Sequence, residues 1–363
     1  MSRDARSGPH AVLAGTGIAI PPRAVTNDEL ARIMDTSDEW IRERSGIVTR
    51  HFVEAGVGSS DLGAKAAKAA LDDAAMDAGD LDYLVCATMT PDHYFPGTGT
   101  LIQQRLGVDP LPALDIRQQC AGYAYGLQMV DALIRGGVAK AVMLVGTDVH
   151  TSLMPWSARS WKVLDGELPP EELSDDERER NDRFRHLAVL FGDAAGAMVF
   201  RADETANGRG LLGGKLYGDG DRLDILYVPG AGSLHRPWVD AEMIEQAVHV
   251  PVMDGRQVFK LAVTRMPQVT KEVLGGYGYG LDDLGLLIMH QANLRINEAA
   301  QRSLGLPDEK VHNNIQKYGN TTSATLPLAF HEARQEGKAP EGALVAFTVL
   351  GAGLHWGSML MRV

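Results

Sequence analysis

Asp115-Ile116-Arg117-Gln118-Gln119-Cys120-Ala121-Gly122-Tyr123 is the stretch on which the reading of this chain turns. A β-type run, Leu111 to Ile116, leads into it, and a helix-type run, Ala121 to Arg135, leaves it. Cys120 therefore falls where a strand becomes a helix, among unpaired backbone N–H groups and at the positive end of the helix dipole. That setting is expected to lower the thiol pKa and to make a thiolate available near neutral pH. Ala121 and Gly122 keep the approach to the sulfur small. The competing reading is a buried structural cysteine, since Cys is among the most buried residue types.

Length and composition bound what such a cysteine can belong to. The 363 residues suffice for one large α/β domain or two packed halves. Two cysteines, Cys86 and Cys120, cannot make a secreted disulfide framework. Met1 to His10 is polar and lacks an apolar signal core, and no apolar run approaches the ~20 residues that span a bilayer. The expectation is a soluble protein of a reducing cytoplasm, without membrane insertion. A net charge of −12 argues against nonspecific nucleic-acid binding, and means that any acidic partner must dock on a local basic patch.

Before the cysteine, Ala11 to Ile18 reads as a strand, Thr26 to Glu29 as a capping box, and Ser37-Asp38-Glu39-Trp40 as a helix start. Ser60 to Asp77 reads as a helix with Leu62, Ala66, Ala69 and Ala70 on one face, Tyr83 to Thr88 as a buried strand, and Thr98 to Leu106 as a short helix. After it come Gly136-Gly137 and a strand from Ala139 to Val145. Asp165 to Asp182 then carries nine carboxylates against Arg178 and Arg180, interrupted by Pro169-Pro170, and reads as a solvated insertion near 154–184. Trp156 and Trp161 either anchor it over a pocket or simply pack under it. His186 to Phe200 reads as a strand pair broken at Gly192-Asp193. Cys86, inside an apolar strand, reads as core. Gly276 to Gly280 is no dinucleotide fingerprint, because a strand follows it, and the histidines show no metal-ligand spacing.

The second half repeats the first. Asp80 to Ala87 and Asp283 to His290 each follow a helix and an acidic turn, 203 residues apart (283 − 80). Cys120 and Asn320 each precede a helix, a glycine turn and a strand ending in Gly146 or Gly351, 200 residues apart (320 − 120). Matched units suggest duplicated α/β halves, 1–205 and 206–363, packed about a pseudo-twofold axis. Equivalent strand ends would meet at the centre and bring His290 and Asn320 to Cys120. A Cys–His–Asn set has two meanings. In a thiol hydrolase His deprotonates Cys and Asn orients His. In acyl transfer to carbon, Cys holds a thioester while His and Asn both donate to an enolate oxygen. Spacing alone leaves both open.

Several blocks then make a specific resemblance: Thr36-Ser37-Asp38-Glu39-Trp40-Ile41 with Arg44-Ser45-Gly46-Ile47, the Cys120 stretch, Phe191-Gly192-Asp193-Ala194-Ala195-Gly196, His290-Gln291-Ala292-Asn293, Tyr318-Gly319-Asn320-Thr321 and Gly351-Ala352-Gly353-Leu354-His355-Trp356-Gly357. In this order, over almost the whole chain, they resemble the β-ketoacyl-[acyl-carrier-protein] synthase III family of thiolase-fold condensing enzymes. The resemblance implies an α/β thiolase-like fold, two duplicated βαβ-type halves in a five-layered αβαβα arrangement. It implies that Cys120 takes an acyl group from acyl-CoA, that the N–H groups of Cys120 and Ala352 form the oxyanion hole, and that His290 and Asn320 hold the thioester oxygen of malonyl carrier protein as CO2 leaves. Product would be a 3-oxoacyl carrier protein, as at the start of fatty acid biosynthesis, with no metal or redox cofactor. Trp40 matches the residue that stacks on the CoA adenine, with Arg44 beside it, and Phe95 one that reaches the acyl pocket of the partner in a homodimer.

Arg256 and Lys260, four apart on one helix, and Arg295 and Arg302, seven apart on another, match in part the family's basic surface for acyl carrier protein. The acidic insertion departs from the family pattern. It falls where a basic CoA contact usually lies, a role for which Arg183 and Arg185 are the candidates, and His355 stands where a small polar residue is common. These departures leave the acyl chain length and the acceptor open. The rivals are a family member with another acceptor or a long-chain condensing activity, a thiol hydrolase, and a carrier-binding scaffold without catalysis.

Overall fold

The computed structural model describes residues 8–363; residues 1–7, most of the polar start discussed above, lie outside the described residues. In chain order the strands of the first half are β1 (His10–Ala19), β2 (Arg23–Thr26), β3 (Thr49–Phe52), β4 (Tyr83–Ala87), β5 (Ala113–Ile116), β6 (Ala141–Asp148) and β7 (Ala194–Asp203). Those of the second are β8 (Gly210–Gly218), β9 (Leu226–Tyr227), β10 (Val252–Met253), β11 (Leu286–Met289), β12 (Val311–His312), β13 (Leu344–Gly351) and β14 (His355–Arg362).

Two five-stranded sheets result, ordered β1-β7-β6-β4-β5 and β8-β14-β13-β11-β12. Within each, the first three strands run antiparallel to their neighbours and the last three are parallel. Every residue of β6 and β13 is buried. They are near-continuous apolar runs, as strands covered on both faces must be. The helices Gly122–Arg135 and Thr325–Gln335 lie between the sheets and touch both. Ser59–Asp73 and Thr98–Leu106 cover the outer face of the first sheet, and Gly255–Gly276 with Leu294–Leu304 that of the second. The layers are αβαβα. Gly146 is needed where the central layer touches β6: a Cβ there would meet the Ser323 carbonyl oxygen at 2.5 Å.

The repeat keeps one register. β11 starts 203 residues after β4 (286 − 83), β13 after β6 (344 − 141), and the turn Thr322–Ala324 after the turn Gln119–Ala121 (322 − 119). Cys120 therefore corresponds to Ser323, correcting the 200-residue match of Cys120 to Asn320. Register is set by strand pairing and helix docking, whereas Asn320 lies in the loop before its turn.

Three local expectations change. His186 to Leu190 is not a strand: Arg185–Ala188 is a short helix, and β7 begins only at Ala194. A short apolar run carries no period that separates the two. The helix from Ser59 ends at Asp73, with Ala75 in the left-handed region at φ 49°. The acidic insertion is not merely solvated. It holds the helices Ala158–Leu164 and Asp175–Arg183, the second opened by a Ser174–Glu177 capping box and by carboxylates that suit the helix dipole. Trp156, Val163, Leu164 and Leu173 are buried against Ile33, Ile41 and Phe52, and Trp161 meets Phe52 edge-on, so the tryptophans pack under the insertion.

Candidate active site

Cys120 is the middle residue of the turn Gln119–Ala121, which β5 feeds and from which the helix Gly122–Arg135 departs. Gln119 has φ 45°, the bend that turns strand into helix. His290 directly follows β11, held by its N–H to the Thr348 carbonyl of β13 at 2.9 Å. Asn320 is pinned by its backbone: its N–H donates to Leu190 O at 2.7 Å, and its carbonyl accepts from Gly192 N–H at 3.1 Å. All three line one cavity of about 120 Å3, with Phe191, Gly351 and Leu354 and an apolar wall of Val258, Phe259, Ala262 and Met266.

The Gly351-Ala352 turn presses on the cysteine. A Cβ on Gly351 would lie 3.0 Å from Cys120 Cβ and 3.3 Å from its backbone nitrogen. A side chain there would need the cysteine turn to give by a few tenths of an ångström, so glycine suits the close approach of β13 to Cys120.

The hydrogen bonds assign the free atoms. Thr322 N–H donates to Asn320 Oδ1 at 2.9 Å, so the amide Nδ2 is the end left to donate into the cavity. His290 Nδ1 lies 2.8 Å from Thr325 Oγ1, leaving Nε2 for the cavity. Asn320 thus does not orient His290, as a thiol hydrolase would require. Burial pushes the His290 pKa down to about 3, so the ring is neutral. Burial, then the Asp148 charge, pushes the Cys120 thiol up to about 12, against a lowering by its own backbone N–H. Burial therefore opposes the standing thiolate expected of a helix start. The cysteine is only 8% exposed, and desolvation outweighs the helix terminus.

Asp148, fully buried at the end of β6, was missed from sequence. Its carboxylate accepts from Met89 N–H at 2.8 Å, Thr90 N–H at 3.2 Å and Ser323 N–H at 3.0 Å, and from the hydroxyls of Thr88, Thr90 and Thr322. It ties both halves to the segment that carries Asn320. An acidic residue closing an eight-residue apolar strand was the available signal.

Trp40 and Arg44 are not among the residues that line the cavity. Their helix, Asp38–Ser45, is joined to it by Asn293 Nδ2, which donates to the Arg44 carbonyl at 2.9 Å. The guanidiniums of Arg44 and Arg185 lie 4.5 and 4.7 Å from the Trp40 ring centroid, whereas Arg183 stacks on Phe184. Of the two candidates, Arg185 and not Arg183 joins Arg44 at Trp40. Arg256, Lys260, Arg295 and Arg302 are all exposed, on the two packed helices that flank the cavity. Arg302 shares its charge with Glu298 at 3.8 Å. Phe95 is 81% exposed and does not reach the cavity of its own chain. His355 lies against Tyr125, whose hydroxyl is 3.1 Å from its Nδ1. No helix among the described residues is long and apolar enough to cross a membrane.

Comparisons with known proteins give the family. The family profile for 3-oxoacyl-[acyl-carrier-protein] synthase III matches residues 114–167, and that for its C-terminal part matches residues 274–363. The chain is 36% identical over 352 residues to a β-ketoacyl-[acyl-carrier-protein] synthase III of Rhizorhabdus wittichii, covering 97% of this chain and 99% of the relative. It is 38% identical over 356 residues to one of Granulibacter bethesdensis, with coverage of 97% and 99%. The crystal structure of 3-oxoacyl-[acyl-carrier-protein] synthase III from Aquifex aeolicus superposes with a TM-score of 0.82 at 35% identity, over 97% of this chain and all of that one. With this fold, this cavity and relatives of matching length, the chain belongs to the β-ketoacyl-[acyl-carrier-protein] synthase III family.

Proposed function

We propose that this chain is an acyltransferase that condenses an acyl-CoA primer with malonyl carrier protein, the first carbon–carbon bond of fatty acid synthesis. The observation that carries the reading is that Cys120, His290 and Asn320 line one cavity, with Asn320 Nδ2 and His290 Nε2 left to face it. The Cys120 sulfur attacks the acyl-CoA thioester as its proton leaves, because no thiolate stands ready in the buried site. CoA departs as the thiol. Developing charge on the acyl oxygen meets the N–H groups of Cys120 and Ala352.

Malonyl carrier protein enters next. Its thioester oxygen accepts from His290 and Asn320, CO2 leaves, and the resulting enolate attacks the acyl carbon. The Cys120 sulfur leaves and is reprotonated, giving a 3-oxoacyl carrier protein. No step calls on a metal or redox group. The Trp40, Arg44 and Arg185 stack takes the adenine of CoA. Arg256, Lys260, Arg295 and Arg302 steer the acidic carrier protein to the mouth. Exposed Phe95 completes the acyl pocket of a partner in a homodimer. The two halves divide near residue 205, and the protein works in the cytoplasm.

The test is intact-protein mass spectrometry after incubation with acyl-CoAs from C2 to C14, beside Cys120→Ala. An adduct on the native protein alone, discharged by malonyl carrier protein as a 3-oxoacyl product, is expected. An adduct that malonyl carrier protein leaves untouched would sink the decarboxylating step and favour another acceptor.

A further inference from the structure

One buried polar side chain touches His290 and has no part in the scheme above. Thr325 opens the helix Thr325–Gln335 and is 1% exposed. Its Oγ1 lies 2.8 Å from His290 Nδ1 and 2.8 Å from the Thr322 carbonyl oxygen. A hydroxyl has one proton to give, and a carbonyl only accepts. If the hydroxyl donates to Thr322, then Nδ1 must carry the ring proton and Nε2 is bare. If it donates to Nδ1, the ring proton sits on Nε2. The two arrangements are exclusive while the ring is neutral, and the tautomer follows from the bond its other nitrogen makes.

The second arrangement is nearly free of cost. The Thr322 carbonyl already accepts the backbone N–H of Thr325, so it stays satisfied when the hydroxyl turns away. It is also the arrangement that makes Nε2 a donor toward a thioester or enolate oxygen. We infer that Thr325 is a positioning residue: by donating its hydroxyl proton to His290 Nδ1, it holds His290 in the Nε2–H tautomer that decarboxylation requires. The inference rests on the condensing reading for its purpose, not for its geometry. Cys120 acylation makes no call on that proton, so the two half-reactions separate the role of Thr325 from a general packing role.

The experiment compares native protein, Thr325→Val and Thr325→Ser. Decarboxylation of malonyl carrier protein is expected to fall about a hundredfold in kcat in Thr325→Val, the order that loss of one oxyanion donor costs. KM and the acyl-Cys120 adduct stay unchanged, and Thr325→Ser restores the rate. In 15N-histidine NMR, with His290→Gln to assign the ring, native protein and Thr325→Ser show the proton on Nε2, and Thr325→Val loses that preference. A native ring protonated on Nδ1 overturns the inference, as does a Thr325→Val protein that decarboxylates at the native rate. Should Thr325→Val fail to fold, the native and Thr325→Ser spectra still decide. If no acyl adduct forms even on native protein, the synthase reading falls, while the spectra continue to judge Thr325.

Discussion

Cys120 and Ser323 occupy the same place in the two halves, each the middle residue of the turn that opens a central helix. The ends of β6 and β13, Asp148 and Gly351, are likewise equivalent (351 − 148 = 323 − 120 = 203) and are exchanged between the halves. Asp148 places a carboxylate on the Ser323 N–H at 3.0 Å. Gly351 has no side chain to place there, and a Cβ on it would lie 3.3 Å from the Cys120 nitrogen. One helix start is thus filled by a protein anion, while its twin meets a glycine that carries no side chain. The asymmetry of one residue pair distinguishes the two helix starts.

Gly351→Asp would set a carboxylate against the Cys120 amide, as Asp148 does in the other half. Acyl-Cys120 formation is expected to fall by at least about a hundredfold, the range for losing an oxyanion donor. Mass spectrometry of the adduct reads it, and acylation at the native rate would show that the Cys120 amide is not the acyl oxygen's partner.

Asp148→Ala leaves buried donors of both halves without an acceptor. A loss of about 3 kcal/mol or more is expected, since each buried unsatisfied group costs ~1–3 kcal/mol. The denaturant midpoint measures it, and an unchanged midpoint would refute it.

With its thiol pKa held near 12 by burial, Cys120 stays protonated through neutral pH. Alkylation by iodoacetamide should rise about tenfold per pH unit from pH 7 to 9, since the thiolate is the reactive form. Cys120→Ala corrects for Cys86. A plateau near pH 7 would restore the low-pKa thiolate that the helix terminus alone suggests.

Glu332 anchors the segment around Asn320. Burial pushes its carboxyl up, but the His312 ring 3.6 Å away, hydrogen bonds from Tyr318 and Asn314 and the Lys317 charge bring it down to about 2 from 4.5. A depressed carboxyl stabilises the fold above its unfolded pKa, and the contribution is lost as pH falls through the folded value. The stability gap between native protein and Glu332→Gln should therefore be full above pH ~5 and shrink between pH 4.5 and 2. A gap that does not change over that window would exclude the linkage.

Trp40→Ala removes the ring between Arg44 and Arg185. KM for acyl-CoA should rise about tenfold, from ~1–2 kcal/mol of stacking and cation–π contact, with the rate of acyl-Cys120 discharge unchanged. Initial rates over a range of acyl-CoA concentrations decide it.

Much of this site was legible in the chain. Cys120, His290 and Asn320 each stand at a strand end or helix start, positions marked by an apolar run on one side and a glycine or helical period on the other. The duplication let one half predict the other. What stayed hidden was the place of Asp148 and Thr325, and which of Arg183 and Arg185 meets Trp40. Each acts through a partner far away in sequence: 175 residues to Ser323 for Asp148, and 35 to His290 for Thr325. Arg185, the first residue of the short helix Arg185–Ala188, meets the Trp40 ring across the fold. No local pattern encodes such a contact.

By itself the sequence determined the alternation of strands and helices, the doubling, and the chemical types gathered at the strand ends, because hydrophobic period and turn chemistry act over a few residues. The tertiary structure decided the rest. Packing two sheets around shared central helices set the register at 203 and so paired Cys120 with Ser323. Burial raised a thiol that the helix terminus would have lowered. β13 meets the Cys120 turn with a glycine, where β6 meets its twin with a carboxylate. Each of these depends on how completely water is excluded and on which groups are brought within 3 Å of one another, and both are properties of the packed chain.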